Sequence, residues 1–234
     1  MIITLDHVVE ESAHIFTYHF KPQQPVRYTA GQFVELTLKH DDVDDRGTRR
    51  WFTLSSSPSQ DLLTITTKFA ATKGSSYKKA LQNLKPGAQL IMSDPMGDFV
   101  LPKLLQTPLI FVAGGIGITP FHSMLQWLSD TGEQRPIRML VGVHSENEII
   151  FQDTYDAAGQ HVTLVVDQPS ASWGGERGKL TAELILGLKK PSDDTLIYVS
   201  GPEIMVETLH KDLIKAGVDK RQLVGDYFPN YLGY

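Results

Sequence analysis

The chain has 234 residues, with 22 basic and 27 acidic side chains, a net charge of −5 and no cysteine. A charge balance this mild does not point to nucleic acid or an anionic membrane as a partner. The absence of thiols excludes disulfides, iron–sulfur clusters and thiolate zinc sites, and the length suits one large domain or two of ordinary size.

The chain opens Met1-Ile2-Ile3-Thr4-Leu5-Asp6-His7. This start has no basic region and no long apolar run, so no signal peptide is expected. No stretch approaches the ~18 apolar residues of a membrane helix, so the expected protein is cytoplasmic, and a monomer. Before residue 105, short apolar–polar alternations such as Phe33–Leu38 and Leu62–Thr67 are separated by turn signals at Thr29-Ala30-Gly31 and Lys85-Pro86-Gly87. Strands at this spacing indicate an antiparallel barrel or sandwich. One helix interrupts them over Ser76–Leu84, with Ser75 or Ser76 as its N-cap.

After residue 105 the rhythm changes. Leu109–Ala113 is a continuous apolar run, as in buried parallel strands. Further strands are expected at Ile137–Val143, His161–Val166 and Thr195–Ser200, with helices near 119–129, 148–158, 180–188 and 203–216. Such alternation indicates a doubly wound parallel sheet. The expected division is a β-barrel domain over 1–102 and an α/β domain over 103–234, hinged at Pro102–Pro108. Residues 1–102 carry 11 basic and 11 acidic residues; 103–234 carry 11 and 16, which is the whole excess of acid.

Three segments carry chemistry. Gly114-Gly115-Ile116-Gly117-Ile118-Thr119-Pro120 follows a strand and opens a helix, where glycines let a phosphate approach the backbone and the helix start favours its charge. Its plainer reading is a tight strand-to-helix turn, and Pro120 stands where a dinucleotide fingerprint has its third glycine. Arg50-Trp51-Phe52-Thr53-Leu54-Ser55 sets a fixed cation beside hydroxyls and a ring, as a flavin phosphate needs; alone it is also an exposed strand with a surface arginine. Ser200-Gly201-Pro202-Glu203-Ile204-Met205 lies at a strand's carboxyl end, where open α/β sheets bind ligands. On its own it is also a helix-capping turn.

In this order the three segments resemble the ferredoxin–NADP reductase superfamily over essentially the whole chain. The arginine–x–tyrosine–serine/threonine motif matches Arg50, Phe52 and Thr53, and the cysteine–glycine–proline–x–x–methionine motif matches Ser200 to Met205. Pro95-Met96-Gly97-Asp98-Phe99 and Asp226-Tyr227-Phe228 are lesser landmarks. The resemblance implies a Greek-key flavin-binding barrel followed by a nicotinamide-binding α/β domain. It also implies an enzyme that transfers hydride between NAD(P)H and bound FAD and passes electrons to a protein or small-molecule acceptor.

Roles follow by likeness. Arg50 would pair with the flavin phosphates, Thr53 would approach flavin N5, and Phe52, Leu54, Ser55 and Thr67 would line the flavin. Gly74, Ser75 and Ser76 would offer amides and hydroxyls to the phosphates. Gly114, Gly115, Gly117, Thr119, Pro120, Gly201, Pro202 and Met205 would shape the nicotinamide pocket, with Ser200 near nicotinamide C4 and Asp226 in the place of the usual glutamate. Phe228 or Tyr231 would cover the flavin, as a small lid that the dinucleotide displaces. Asp167, after the strand His161–Val166, resembles the NADH-using branch, where an acid disfavours a 2′-phosphate; Arg177 and Lys179 leave NADPH open. Phe52, Ser200 and Asp226 depart from the usual tyrosine, cysteine and glutamate and are read as tuning. The eight histidines lack metal spacing, and His144 is expected to be a plain polar loop residue. The alternatives are a free-flavin reductase and a non-catalytic electron-transfer subunit; the latter commonly brings a cysteine cluster, which this chain lacks.

Overall fold

A computed structural model describes residues 1–69, 74–157, 161–188 and 194–228. The first part is antiparallel. Its strands are β1 (Ile2–Ser12), β2 (Ile15–Pro22), β3 (Phe33–Thr37), β4 (Arg49–Thr53) and β5 (Leu63–Lys68), then, after helix α1 (Ser76–Gln82), β6 (Gln89–Met92). They form one six-stranded sheet in the order β4-β3-β6-β1-β2-β5. Apolar alternation in β3 and β6 turns Val34, Leu36, Leu90 and Met92 inward. Tyr77 and Leu81 of α1 join them in the core.

β5 breaks the alternation: Thr64, Thr66 and Thr67 are buried. Burial of hydroxyls is tolerated where they bond one another. Ser55 Oγ contacts Thr64 Oγ1 at 2.8 Å and Thr66 Oγ1 at 2.9 Å, and Thr66 Oγ1 contacts Thr17 Oγ1 at 2.8 Å.

The second part alternates as expected. β7 (Leu109–Gly114) leads through a short 3-10 turn, Gly115–Ile118, into α2 (Thr119–Thr131). β8 (Ile137–Val143), α3 (Gln152–Ala157), β9 (His161–Val166), β10 (Glu176–Arg177), α4 (Ala182–Leu188), β11 (Leu196–Pro202), α5 (Glu203–Lys215) and β12 (Leu223–Phe228) follow. The sheet order is β10-β9-β8-β7-β11-β12, all parallel. α2 and α3 cover one face, α4 and α5 the other. Every residue of β7 is therefore buried, which explains its unbroken apolar run.

Two expectations change. The helix expected from 148 begins only at Gln152, because Glu146–Glu148 forms a 3-10 turn and Phe151 takes a left-handed φ of 63°. The segment Asp226-Tyr227-Phe228, where no strand is expected, is the end of β12, paired with Ser200, Gly201 and Pro202. Its glycine and aspartate had hidden a strand pattern.

Candidate functional site

The chain leaves β7 toward β8 on one side and returns through β11 toward β12 on the other. The carboxyl ends of β7 and β11 thus form the switch point at which doubly wound sheets bind ligands. Ala113 lies opposite Ser200 across this pair. The two glycine motifs interlock there. A Cβ on Gly114 would lie 2.3 Å from Met205 Sδ, one on Gly117 would lie 2.2 Å from the Ser200 carbonyl oxygen, and one on Gly201 would lie 2.7 Å from Met205 Cε. At Gly117 the obstacle is backbone, so no side chain fits there and the backbone itself forms the crevice wall. Gly115, at φ 53°, turns the chain into α2. Thr119 Oγ1 donates to the Ile116 carbonyl at 3.1 Å, and Pro120 stands in the first turn of α2. Both are buried, so the Thr119 hydroxyl serves the turn. Pro202 caps α5.

Beside this crevice, Ser200 is fully buried, and its Oγ donates to Asp226 Oδ2 at 3.3 Å. Burial pushes the Asp226 carboxyl up to about 6; the Ser200 hydrogen bond opposes this and the charge of Asp98 adds to it.

The other half of the site lies on β4. Arg50 Nη1 donates to the carbonyls of Arg46 (2.7 Å), Gly47 (3.2 Å) and Arg49 (2.6 Å). Its Nη2 is buried with no hydrogen-bond partner, the nearest carboxylate being Asp44 at 3.8 Å. Arg50 also lies 5.1 Å from the centre of the Tyr77 ring. Phe52 and Leu54 are buried in the barrel core, and Phe52 is tilted against Tyr77 at 6.0 Å. Thr53 is buried at the end of β4, and Ser55 belongs to the hydroxyl chain under β5.

Lys78 Nζ donates to Thr67 Oγ1 and to the Lys68 carbonyl (3.3 Å), and stands 5.5 Å over Phe52 and 5.1 Å over Phe69. Burial pulls its ammonium down to about 7, with Arg50 and Arg46 adding to the effect. Ser75 caps α1 through Lys78 N at 3.2 Å. Ser76 N donates to Asp44 Oδ2 at 2.7 Å, and Ser76 Oγ contacts His40 Nε2 at 2.9 Å and accepts from Asp44 N at 3.0 Å. These Ser75 and Ser76 groups are already engaged within the protein. Gly74, with His40, Asp41, Asp42, Asp44 and Ser76, lines a cleft of about 530 Å³ beside this helix start.

Several contacts draw the two halves together. Ser123 Oγ of α2 donates to the Ser56 carbonyl at 2.5 Å, just beyond Thr53. Phe33, paired with Thr53, exchanges hydrogen bonds with Met96 at 2.9 and 2.8 Å. Phe99 then packs on Phe121 and Tyr198, and Tyr198 Oη donates to the Val100 carbonyl at 2.8 Å. Lys68 pairs with Glu148 at 2.6 Å. Asp98 and Ser200 both act on Asp226, and the end of β4 that bears Thr53 is tied to the Met96 segment through Phe33.

Asp167 follows β9, and His144 Nδ1 lies 3.5 Å from its Oδ2. Arg177 Nη2 is spent on the carbonyls of Ser170, Ala171 and Trp173. Phe228 contributes its backbone to β12; its side chain, and Tyr231, lie outside the described residues. Sequence reasoning missed Lys78, Asp44 and Asp98. Lys78 acquires its role from Phe52, Phe69 and Thr67, which lie outside its helix, and no local signal marks it.

Residues 111–211 match the oxidoreductase NAD-binding domain. The structure superposes on a ferredoxin NADP+ reductase of Neisseria gonorrhoeae with a TM-score of 0.81, covering 97% of this chain and 98% of that one at 19% identity. The fold is that of the ferredoxin–NADP reductases, and residues 111–211 carry the oxidoreductase NAD-binding domain. The structure also superposes on the flavohem-like FAD/NAD binding domain of a nitric oxide dioxygenase from Vibrio cholerae, with a TM-score of 0.83, 21% identity and coverage of 97% and 98%. Among curated relatives, flavohemoprotein A of Dictyostelium discoideum is 28% identical over 96% of this chain and 59% of its own length. NADH oxidoreductase HCR of Escherichia coli is 26% identical over 92% and 64%. The chain thus spans about three fifths of the length of these curated relatives. No described helix is long and apolar enough to cross a membrane.

Proposed function

We propose that this chain is an NAD(P)H-dependent reductase that holds FAD and passes electrons to a protein or small-molecule acceptor, working in the cytoplasm as a monomer. The observation that carries the reading is the junction just described. A phosphate-binding type of crevice, walled by Gly114, Gly117 and Gly201, meets the strand that bears Arg50 and Thr53. The flavin fits on structural grounds. Arg50 Nη2 is buried without a hydrogen-bond partner, and Lys78 has no carboxylate partner among the described residues. Phosphate oxygens would give Arg50 Nη2 a hydrogen-bond acceptor and Lys78 an anion.

When bound, FAD supplies the redox chemistry, accepting hydride from the dinucleotide and releasing electrons to the acceptor. The chain's own part is to bind and orient. Arg50 would hold the phosphates, Thr53 would lie at the flavin ring, and the start of α2 would receive the dinucleotide. Asp226, hydrogen-bonded by Ser200, exchanges its proton near pH 6 beside the crevice.

A second reading, a reductase that takes free flavin as a substrate, is favoured by one contact: Asp44 already occupies the Ser76 amide. One experiment separates the two. The purified protein is expected to be yellow, to release FAD on denaturation, and to bleach under NADH without oxygen. Colourless protein that reduces added flavin would favour the second reading, and absence of any reduction would sink both.

Coenzyme choice is a further expectation. A 2′-phosphate placed near Asp167 would feel like-charge repulsion of roughly 1–4 kcal/mol at 4 Å, whereas a free ribose hydroxyl can donate to the carboxylate. NADH should therefore give the higher kcat/KM, and Asp167→Ser should raise NADPH use about tenfold or more. Steady-state comparison of the two coenzymes checks this; a wild type that prefers NADPH would overturn it.

A further inference from the structure

Lys78 has no part in the superfamily motifs, yet it touches two residues that the resemblance assigns to the flavin. Its Nζ donates to Thr67 Oγ1 and stands 5.5 Å over the Phe52 ring. Arg50, two residues before Phe52 on β4, lies 5.1 Å over Tyr77, the neighbour of Lys78 on α1. The two cations thus flank the tilted Phe52–Tyr77 ring pair from β4 and α1. Arg46, on the connection into β4, adds a third cation whose charge both Arg50 and Lys78 feel.

The carboxylate nearest Arg50, Asp44, lies 3.8 Å from its Nη2 and accepts from the backbone amides of Ser76 and Arg46, and none of the hydrogen bonds of the Lys78 ammonium goes to a carboxylate among the described residues. From β5, Thr67 offers a neutral hydroxyl and Lys68 only its carbonyl, since the Lys68 ammonium pairs with Glu148. Like charges held together at the edge of an apolar core repel unless an anion joins them.

We propose that Lys78 is a second cationic ligand for the pyrophosphate of FAD, acting beside Arg50. The inference rests on the flavoprotein reading above and adds to it a residue and a pH dependence. Without flavin, the ammonium is held near 7 by burial and by Arg50 and Arg46. A bound pyrophosphate favours the charged form and raises that value. Between the two values, binding takes up a proton, so FAD binds most tightly below about pH 7 and more weakly as pH rises above it. The pyrophosphate stays fully ionised across this range, unlike a phosphomonoester, whose second pKa is ~6. Lys78 is then the group whose titration the affinity reports.

The test is a flavin-binding titration of apoprotein, followed by fluorescence, with FAD and with riboflavin at pH 6 and pH 8.5. The wild type is expected to bind FAD about tenfold or more weakly at the higher pH, and riboflavin equally at both. Lys78→Met should bind FAD weakly at both values, matching the wild type at pH 8.5. Lys78→Arg, whose charge does not titrate here, should bind tightly at both. Circular dichroism monitors the fold. If Lys78→Met does not fold, Lys78→Arg decides alone, and a wild-type pH slope in that variant overturns the proposal. So does Lys78→Met with wild-type affinity at pH 6. A wild type that binds FAD with no pH slope overturns the role of Lys78 and leaves the flavoprotein reading standing; one that binds no flavin overturns both.

Discussion

Arg50→Ala is expected to purify with little or no FAD, its affinity for the dinucleotide reduced by about ten- to a hundredfold or more. The reason lies in how the guanidinium is held. Nη1 is anchored by the carbonyls of Arg46, Gly47 and Arg49, all within 3.2 Å, so the side chain is fixed before any ligand arrives. Nη2 is left buried and without a hydrogen bond. A hydrogen bond to a charged group contributes about 1.5–3 kcal/mol, and here the ordering of the side chain is already complete. Arg50→Lys keeps the charge but cannot both grip the carbonyls and reach a phosphate, so it should restore only part of the affinity. Removing the arginine also frees three loop carbonyls, so thermal stability should be followed beside flavin content. Equilibrium dialysis of apoprotein against FAD decides the matter. Wild-type affinity in a folded Arg50→Ala chain would remove this residue from the flavin site.

Much of the architecture could be read in the amino-acid order because burial leaves a periodic trace. The run Leu109–Ala113 is apolar because both faces of β7 are covered, and Ile137–Val143 and His161–Val166 are strands with the bounds expected. The glycine segments were legible because only glycine permits the approach of Gly117 to the Ser200 carbonyl. What stayed hidden depends on long-range contact. β12 carries Gly225 and Asp226 in its middle and is a strand only because β11 pairs with it. The left-handed Phe151 delays α3, and aromatic residues do not advertise that conformation. At the site, Arg50 was visible as a cation in a motif, whereas the engagement of Ser76 by Asp44 and the approach of Lys78 to Phe52 arise from the way a loop and a helix close over β4.

Asp226→Asn is expected to make the protein more stable at neutral pH and a much poorer reductase. In the folded chain the carboxyl is pushed up to about 6 from its ordinary 3.8, first by burial and further by Asp98, against the opposing hydrogen bond from Ser200. The folded state therefore holds this proton more tightly than the unfolded one. As pH rises from about 4 to about 6 the unfolded chain ionises first, so the carboxyl's contribution to stability falls across that window and is level above it. The loss amounts to roughly 2–3 kcal/mol at neutrality. Asparagine keeps an oxygen for the Ser200 hydroxyl and never ionises. Denaturant unfolding should thus find the variant equal to wild type near pH 4 and more stable at pH 7. A buried acid that costs stability is retained where its proton serves the chemistry. Its loss should lower kcat by about a hundredfold, within the usual range for a proton-holding group, and should erase the limb near pH 6 from the wild-type rate profile. FAD content should stay unchanged, which separates this effect from that of Arg50. An asparagine variant that keeps wild-type turnover and the same limb would show that Asp226 only packs β12 against β11.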